Sequence, residues 1–446
     1  MRDLANVALD TAQQKGASYA DIRFVTDRSR NVSVKNGKVE SLSNNESQGF
    51  GVRVIVNGAW GFSSSSLVTR AEIERVTAEA VQIARASASV FRQPVQLGDP
   101  ISIQDRYVTP ADIDVFSVSL DDQIKILLEA DLEMRRVEGI RIANGMISTL
   151  NTSKIFASTE GSYIEQELSE SGAGIEVYAV NEDGVQKRSY PNAFGGGWET
   201  GGFEYVHKLD LPGHARRISE EAIQLLTAPV CPTGVTNLIL SSNQVALQVH
   251  ESCGHPVELD RVMGMEASFA GTSFLTTEKK GNFRYGSDLV NVYADATVPR
   301  GLGTFGYDDE GVPAQRTPLI LNGIFQDYIT DRETAATLGQ QSNGTSRADG
   351  WNRIPMIRMT NINLEPGNAG SLEDIIAATD EGIFMDTNKS WSIDDKRLNF
   401  QFGLEAAWEI KNGKRGQLYR NPAYTGMTPV FWGSCDLIGS RDHWTV

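Results

Sequence analysis

His250 and His255 stand five residues apart in the run Val249-His250-Glu251-Ser252-Cys253-Gly254-His255-Pro256, and this spacing restricts the backbone that can carry them. The zinc-binding pattern H-E-x-x-H sets two imidazoles four residues apart on one helix face. On an ideal α-helix, four residues rotate a side chain by about 40° and five by about 140°. A regular helix therefore cannot turn both rings toward one ion. A single π-type turn would restore a common face. Alternatively, the helix ends at Gly254, where a positive φ swings His255 back. Pro256 favours the second solution, because the residue before a proline is pushed out of the α region. The expectation is a helix from Ser242 to Cys253 that ends beside its own metal site.

Two histidines do not complete a zinc site; a catalytic one has three protein ligands and an open position. Cys435, Cys253, His443, Glu258 and Asp260 are the candidates for the third. Cys253 points away if the helix is regular. Cys435 is remote in sequence, lies between small residues and would bind as a thiolate. Glu251 follows a ligand directly, so its carboxylate can sit beside the water that a metal activates without binding the metal itself. There it would take a proton during attack on a carbonyl and pass it to the leaving amine. The remaining histidines, His207, His214 and His443, are isolated and read as surface or packing residues.

Around this segment the hydrophobic pattern indicates an α+β chain, in two regions divided at Pro229-Val230-Cys231-Pro232. In region 1–228, helices pack on antiparallel sheets in two sub-layers, about 1–100 and 101–228. Helices are expected at 1–16, 69–88, 120–138 and 212–227. Strands are expected at 22–25, 31–34, 51–56, 153–157, 162–168 and 174–180. Asn36-Gly37 and Asn57-Gly58 carry the hairpin signal. Region 229–446 is mainly antiparallel β around the His250 helix, with strands at 237–240, 289–293, 319–321, 325–329 and 404–410. Asn322-Gly323 and Asn412-Gly413 mark its turns, and Ser371 with Asp374 caps a helix over 371–380. The segment Val430–Gly439 reads as buried and turn-punctuated, suited to holding a side chain rigid.

Composition narrows the function. A net charge of −16 argues against a phosphate-binding surface and hence against nucleic acid. No apolar run is long enough for a membrane span, and the N-terminus lacks the apolar core of a signal peptide. Cys231, Cys253 and Cys435 cannot all pair, which points to a reducing, cytoplasmic setting.

The chain resembles the TldD/PmbA family of metallopeptidases, in its HExxxH-bearing, TldD-like branch. The resemblance is carried by GASYADIRF and VKNGKVESLSNNESQGFGVRVIVNGAWGFSSSS near the N-terminus, HESCGHPVELDR at 250–261, GYDDEGVPAQRTPLILNG at 306–323 and RIPMIRMTNINLEPG at 353–367. It implies that His250, His255 and Cys435 bind Zn²⁺ and that Glu251 is the catalytic base. It also implies short or unfolded peptides as substrates, reached through an enclosed cavity. The expected partner is a second copy, or a metal-free PmbA-like homologue in a heterodimer. The alternative is a catalytically silent partner or scaffold subunit of such a complex, or a regulatory protein. By general analogy with metallopeptidases, a substrate would add as a β-strand, and Gly301–Tyr307 and Ile354–Asn361 would edge the site.

Overall fold

The computed structural model describes residues 1–90, 93–182 and 184–445. Helix α1 (Arg2–Gln14) buries Ala5, Val7, Ala8 and Ala12. Strands β1 (Tyr19–Lys35), β2 (Lys38–Val56) and β3 (Ala59–Ser65) follow. Asn36-Gly37 and Asn57-Gly58 connect them, and all four residues have positive φ. That backbone suits the right-handed twist of a hairpin. Helix α2 (Arg70–Ala88), capped by Thr69, lies on this layer. A Cβ on Gly61 of β3 would sit 2.0 Å from the Ala80 carbonyl oxygen, so the helix rests directly on the strand.

The second layer begins with β4 (Gln104–Val108) and α3 (Leu120–Arg135). Strands β5 (Ile140–Ser158), β6 (Tyr163–Asn181), β7 (Gly184–Tyr190) and β8 (Gly197–Thr200) come next. Helices α4 (Glu204–Lys208) and α5 (Leu211–Thr227) close it. Both layers share one sheet, in the order β3-β2-β1-β5-β6-β4, with β7 and β8 also on β6. The long β1–β5 ladder, from Asp21 opposite Ser158 to Lys35 opposite Asn144, joins them. Helices α1 and α2 cover one end of the sheet, where Ile22, Phe50, Val52 and Ile73 pack. Helices α3 and α5 cover the other, where Leu127, Met134, Ile147 and Ile218 pack.

The separate strands expected at 22–25 and 31–34 are one strand. The polar stretch between them, Thr26–Arg30, stays paired to β2 and β5. Hydrophobic alternation reports where a helix covers a strand and not where its ladder continues. One departure from an all-antiparallel sheet is β4, which pairs parallel to β6.

Beyond 229 come β9 (Leu238–Leu240), α6 (Ser242–Val249) and the short α7 (Leu259–Val262). A four-stranded sheet contains β10 (Val292–Asp295), β11 (Arg316–Leu321), β12 (Ile324–Phe325) and, after α8 (Arg332–Thr337), β15 (Asn361–Leu364). Between α8 and β15, β13 (Ser346–Arg347) pairs with β14 (Met356–Ile357). After α9 (Leu372–Ala377), a five-stranded sheet is built by β16 (Glu381–Ile393), β17 (Asn399–Lys411), β18 (Lys414–Tyr419) and β19 (Ala423–Met427), together with β9. Helix α10 (Thr428–Gly433) follows. The first sheet runs β12-β11-β10-β15 and the second β18-β17-β16-β9, so β15 and β9 are end strands.

Buried ion pairs tie the C-terminal sheets to the N-terminal one. Arg53 bridges Asp21 at 2.7 Å and Glu310 at 3.0 Å, and Arg188 reaches Asp386 at 2.8 Å. No helix among the described residues is long and apolar enough to cross a membrane.

Candidate metal centre

The five-residue spacing is resolved by a π turn. Helix α6 runs to Val249, His250–Gly254 forms one π turn, and His255–Val257 a 3-10 turn. The expectation that the helix stops at Gly254 through a positive φ is therefore corrected: φ of Gly254 is −78°. His255 keeps helical angles despite preceding Pro256, whose missing N–H is tolerated in the first positions of the new turn. The π turn adds the residue that an α turn lacks. The two rings come within 4.8 Å, centroid to centroid, at an interplanar angle of 85°. One ligand atom each from His250, Glu251 and His255 lies within 4.8 Å of the others.

Gly254 is required for another reason. A Cβ there would fall 2.0 Å from Met359 Sδ and 3.4 Å from Ile362 Cγ1. The turn is pressed against the run that leads into β15. On its other side, Ser252 Oγ donates to the Gln248 carbonyl at 2.5 Å and accepts from Trp432 Nε1 at 2.9 Å. The Tyr285 hydroxyl donates to the Ser252 carbonyl.

Each histidine has a distinct environment. His255 Nδ1 lies 2.9 Å from Glu258 Oε2, which also accepts from Arg261 Nε at 3.0 Å and Nη2 at 2.8 Å. Burial raises the Glu258 pKa, but the His255 hydrogen bond and Arg261 outweigh it and hold the carboxyl below its usual range. Glu258 thus stands behind His255, orienting the ring and leaving Nε2 for a metal. His250 opens onto a cavity. Crowding by protein on its other sides, and then the neighbouring His255, lowers its pKa to about 4, so the neutral, metal-binding form prevails at neutral pH.

Glu251 Oε2 accepts from Arg397 Nη1 at 2.8 Å. Glu258, Arg261 and Arg397 all escaped the sequence reading as supporting groups. For Glu258 a signal existed: it lies three residues after a candidate ligand, a separation at which helical residues share a face. For Arg397, which lies in the β16–β17 connection, there was none.

The other candidates for the third ligand sort by position. Cys253 is fully buried, and burial pushes its thiol up to about 12. Its side chain faces the apolar core with Val249 and Val257, away from the histidines. Asp260 accepts from the Arg261 main-chain N–H, and burial, followed by repulsion from Glu258, raises its pKa to about 7. Cys435 lies outside the His250–Glu251–His255 cluster but lines the same cavity as both histidines. Its thiol is raised to about 11 by burial and by Asp436. His443 lines that cavity too, whereas His214 stacks on Tyr190 and His207 packs edge-on to Phe203. The segment 430–439 is less buried than expected. Val430 is 64% exposed, and Trp432 is the side chain that goes inward. Helix α10 turns one face to the core, which an apolar run does not reveal.

The cavity has a volume of about 1950 Å³. Its walls include the end strands β9 and β15, the two histidines, Tyr424 and the 434–440 segment. Of the two expected edges, Leu302 and Gly303 contribute from the first and Arg358 to Asn361 from the second. Two nearly perpendicular imidazoles, one with its Nδ1 fixed by a carboxylate, fit zinc in donor type, and a thiolate on the same wall is a compatible soft donor.

Comparison with known proteins gives a consistent result. Residues 20–84, 113–226 and 233–446 match domain 1, the central domain and the C-terminal domain of the PmbA/TldA metallopeptidases. The chain is 31% identical over 409 residues to a metalloprotease of Methanocaldococcus jannaschii, covering 92% of this chain and 86% of that one. It is 24% identical over 447 residues to a zinc metalloprotease TldD homolog of Saccharolobus solfataricus, covering 97% and 90%. Its fold is similar to that of TldE from Thermococcus kodakarensis, with a TM-score of 0.75 at 18% identity over 98% of this chain and 94% of that one. A Thermotoga maritima protein superposes with a TM-score of 0.81 at 18% identity over 98% and 95%.

Proposed function

The chain belongs to the PmbA/TldD metallopeptidase family, and on that footing we propose that it is a zinc-dependent peptidase acting on short or unfolded peptides. The observation that carries this reading is the cluster of His250, Glu251 and His255 on the wall of a large cavity. His250, His255 and Cys435 would hold the ion. Bound zinc would supply a Lewis acid that polarises a carbonyl and acidifies water.

The remaining chemistry falls to side chains. Glu251 takes a proton from the attacking water on its carboxylate and returns it to the leaving amine. Arg397 occupies Oε2, which leaves Oε1 for that proton. Glu258 keeps the Nδ1 hydrogen of His255 engaged, so the ring presents Nε2 only.

An extended peptide suits this cavity because the end strands β9 and β15 line it. Main-chain pairing to such an edge gives affinity with little dependence on side chains. A folded domain is too large for a cavity of about 1950 Å³. A second copy, or a metal-free relative, as partner and a cytoplasmic location complete the proposal, the latter in keeping with three free cysteines.

The test is zinc content together with cleavage of an unstructured peptide. Glu251→Gln should retain zinc and lose cleavage, whereas Cys435→Ser should lose zinc. Equal cleavage by the parent and Glu251→Gln overturns the mechanism. A parent protein that takes up no zinc would instead be a silent subunit.

A further inference from the structure

Two arginines on the cavity wall have no carboxylate partner among the described residues. Arg347 and Arg358 line the large cavity that holds the histidines and also a smaller chamber of about 560 Å³. Arg347 Nη2 donates to the Met359 carbonyl at 2.5 Å, and its buried Nε has no hydrogen-bond partner. Arg358 donates only to the Ile357 carbonyl at 2.8 Å and the Met356 thioether at 2.8 Å. The fully buried arginines Arg53, Arg188 and Arg332 are paired, with Asp21, Asp386 and Glu160, whereas the half-buried Arg347 and Arg358 are not. A guanidinium nitrogen buried without a partner is costly, so Arg347, with a second unpaired cation on the same wall, favours an anion there. Burial lowers the Arg347 pKa. Asp309 and Glu170 oppose this from beyond ion-pair distance, and the neighbouring Arg358 lowers it further.

Their placement is specific. The β13–β14 ladder sets Arg347 opposite Met356, and the Arg358 N–H donates to the Thr345 carbonyl at 2.9 Å. The two arginines thus stand at opposite ends of this short pair, and strand alternation puts them on the same face of it. The Met359 carbonyl that Arg347 holds belongs to the residue packed against Gly254 of the π turn. Arg358 directly precedes the cavity-lining run that enters β15.

We propose that Arg347 and Arg358 form a carboxylate-binding subsite beside the metal turn, for a peptide lying along β15. The choice of a peptide rests on the peptidase reading; the unpaired cations do not. Planar guanidinium groups bind carboxylates through paired, charge-assisted hydrogen bonds. The carboxylate can be the peptide's own C-terminus or an Asp or Glu side chain.

The experiment measures binding by fluorescence anisotropy to zinc-loaded Glu251→Gln, so that no turnover is needed. Three N-terminally labelled probes are compared: penta-alanine as free acid, the same peptide amidated, and an amidated version with a central Glu. An α-carboxylate subsite predicts that the free acid binds about tenfold or more tighter than the plain amide. A side-chain subsite predicts that the Glu-bearing amide does so instead. Adding Arg358→Gln should bring the preference close to one, and Arg358→Lys should restore part of it. Circular dichroism and zinc content verify that the variants are folded. Equal binding of all three probes, or no binding of any, overturns the subsite. A preference in binding without cleavage by the parent overturns the peptidase reading and leaves the subsite standing. Cleavage of acid and amide with equal affinity does the reverse.

Discussion

Arg397 Nη1 donates to Glu251 Oε2 at 2.8 Å, joining residues 146 positions apart. Arg397 has φ of +63° in the β16–β17 turn, a left-handed conformation that is unfavourable for a non-glycine residue. Asp394 holds that turn by accepting from the Leu398 N–H at 2.8 Å and the Asn399 side chain at 2.7 Å. The Thr428 hydroxyl donates to the Arg397 carbonyl at 3.0 Å. The guanidinium is thus fixed from its own backbone, and the carboxylate is fixed by the guanidinium.

Arg397→Ala is therefore expected to lower kcat by about 10- to 100-fold, comparable to the loss of one charge-assisted hydrogen bond, with zinc content unchanged. Arg397→Lys should recover part of the loss. Steady-state kinetics on an unstructured peptide, with metal analysis, would show it; a change confined to KM would assign Arg397 to substrate binding instead.

Glu258→Gln should weaken zinc binding by about 10- to 100-fold, because His255 loses the charged partner that fixes its ring. Arg261 loses its carboxylate partner in the same variant. Competition with a chromophoric chelator measures the effect, and unaltered zinc affinity would remove Glu258 from this role.

Gly254→Ala should destabilise the fold by roughly 1–3 kcal/mol, since the new methyl meets Met359 Sδ. Combined with Met359→Ala in the same chain, the loss should be smaller than the sum of the two single losses, because the two changes share one contact. Thermal unfolding of the single and double variants provides the comparison.

Glu405 gives a pH dependence remote from the metal centre. Burial raises its folded-state pKa from 4.5 to about 7, against the pull of Arg188 and hydrogen bonds from Ser189. The folded state binds this proton more tightly than the unfolded chain does. Its contribution to stability is thus complete below pH 4.5 and is lost as pH rises through about 7. Between these values the parent should lose stability relative to Glu405→Gln as pH increases, by a few kcal/mol at most. Denaturant midpoints of the two proteins across this range test the sign.

Elements with a covered face were readable from sequence. The helices expected at 69–88, 120–138 and 212–227 correspond to α2, α3 and α5, each burying residues at helical spacing. The Asn-Gly pairs at 36–37, 57–58, 322–323 and 412–413, read as turn signals, all form turns with positive φ. Strand β16 was missed because it runs out past its core: Lys389 to Ser392 are exposed, Thr387 has φ of +59°, and the register shifts between Asn388 and Ser390. The strand expected at 325–329 forms only at Ile324–Phe325, and the one expected at 289–293 lies at Val292–Asp295.

At the candidate metal centre, the run 250–255 was legible as a motif, but its π turn was not decided by the residues within it. Gly254 fits both solutions. What selects between them is contact with Met359, Trp432 and Tyr285, which no local rule contains. Glu251 could be singled out because it follows a candidate ligand, and Arg397 could not be placed against it, because only tertiary folding brings it there.

Trp432 grips Ser252 from 180 positions away, and Arg397 grips Glu251 from 146. Translation delivers the histidines long before either brace. N-terminal parts of a chain generally fold first as it emerges from the ribosome. A nascent chain would thus carry His250, Glu251 and His255 before Trp432 can brace the turn or Arg397 can hold the Glu251 carboxylate. The cluster is fully braced only when the C-terminal part of the chain has folded onto it.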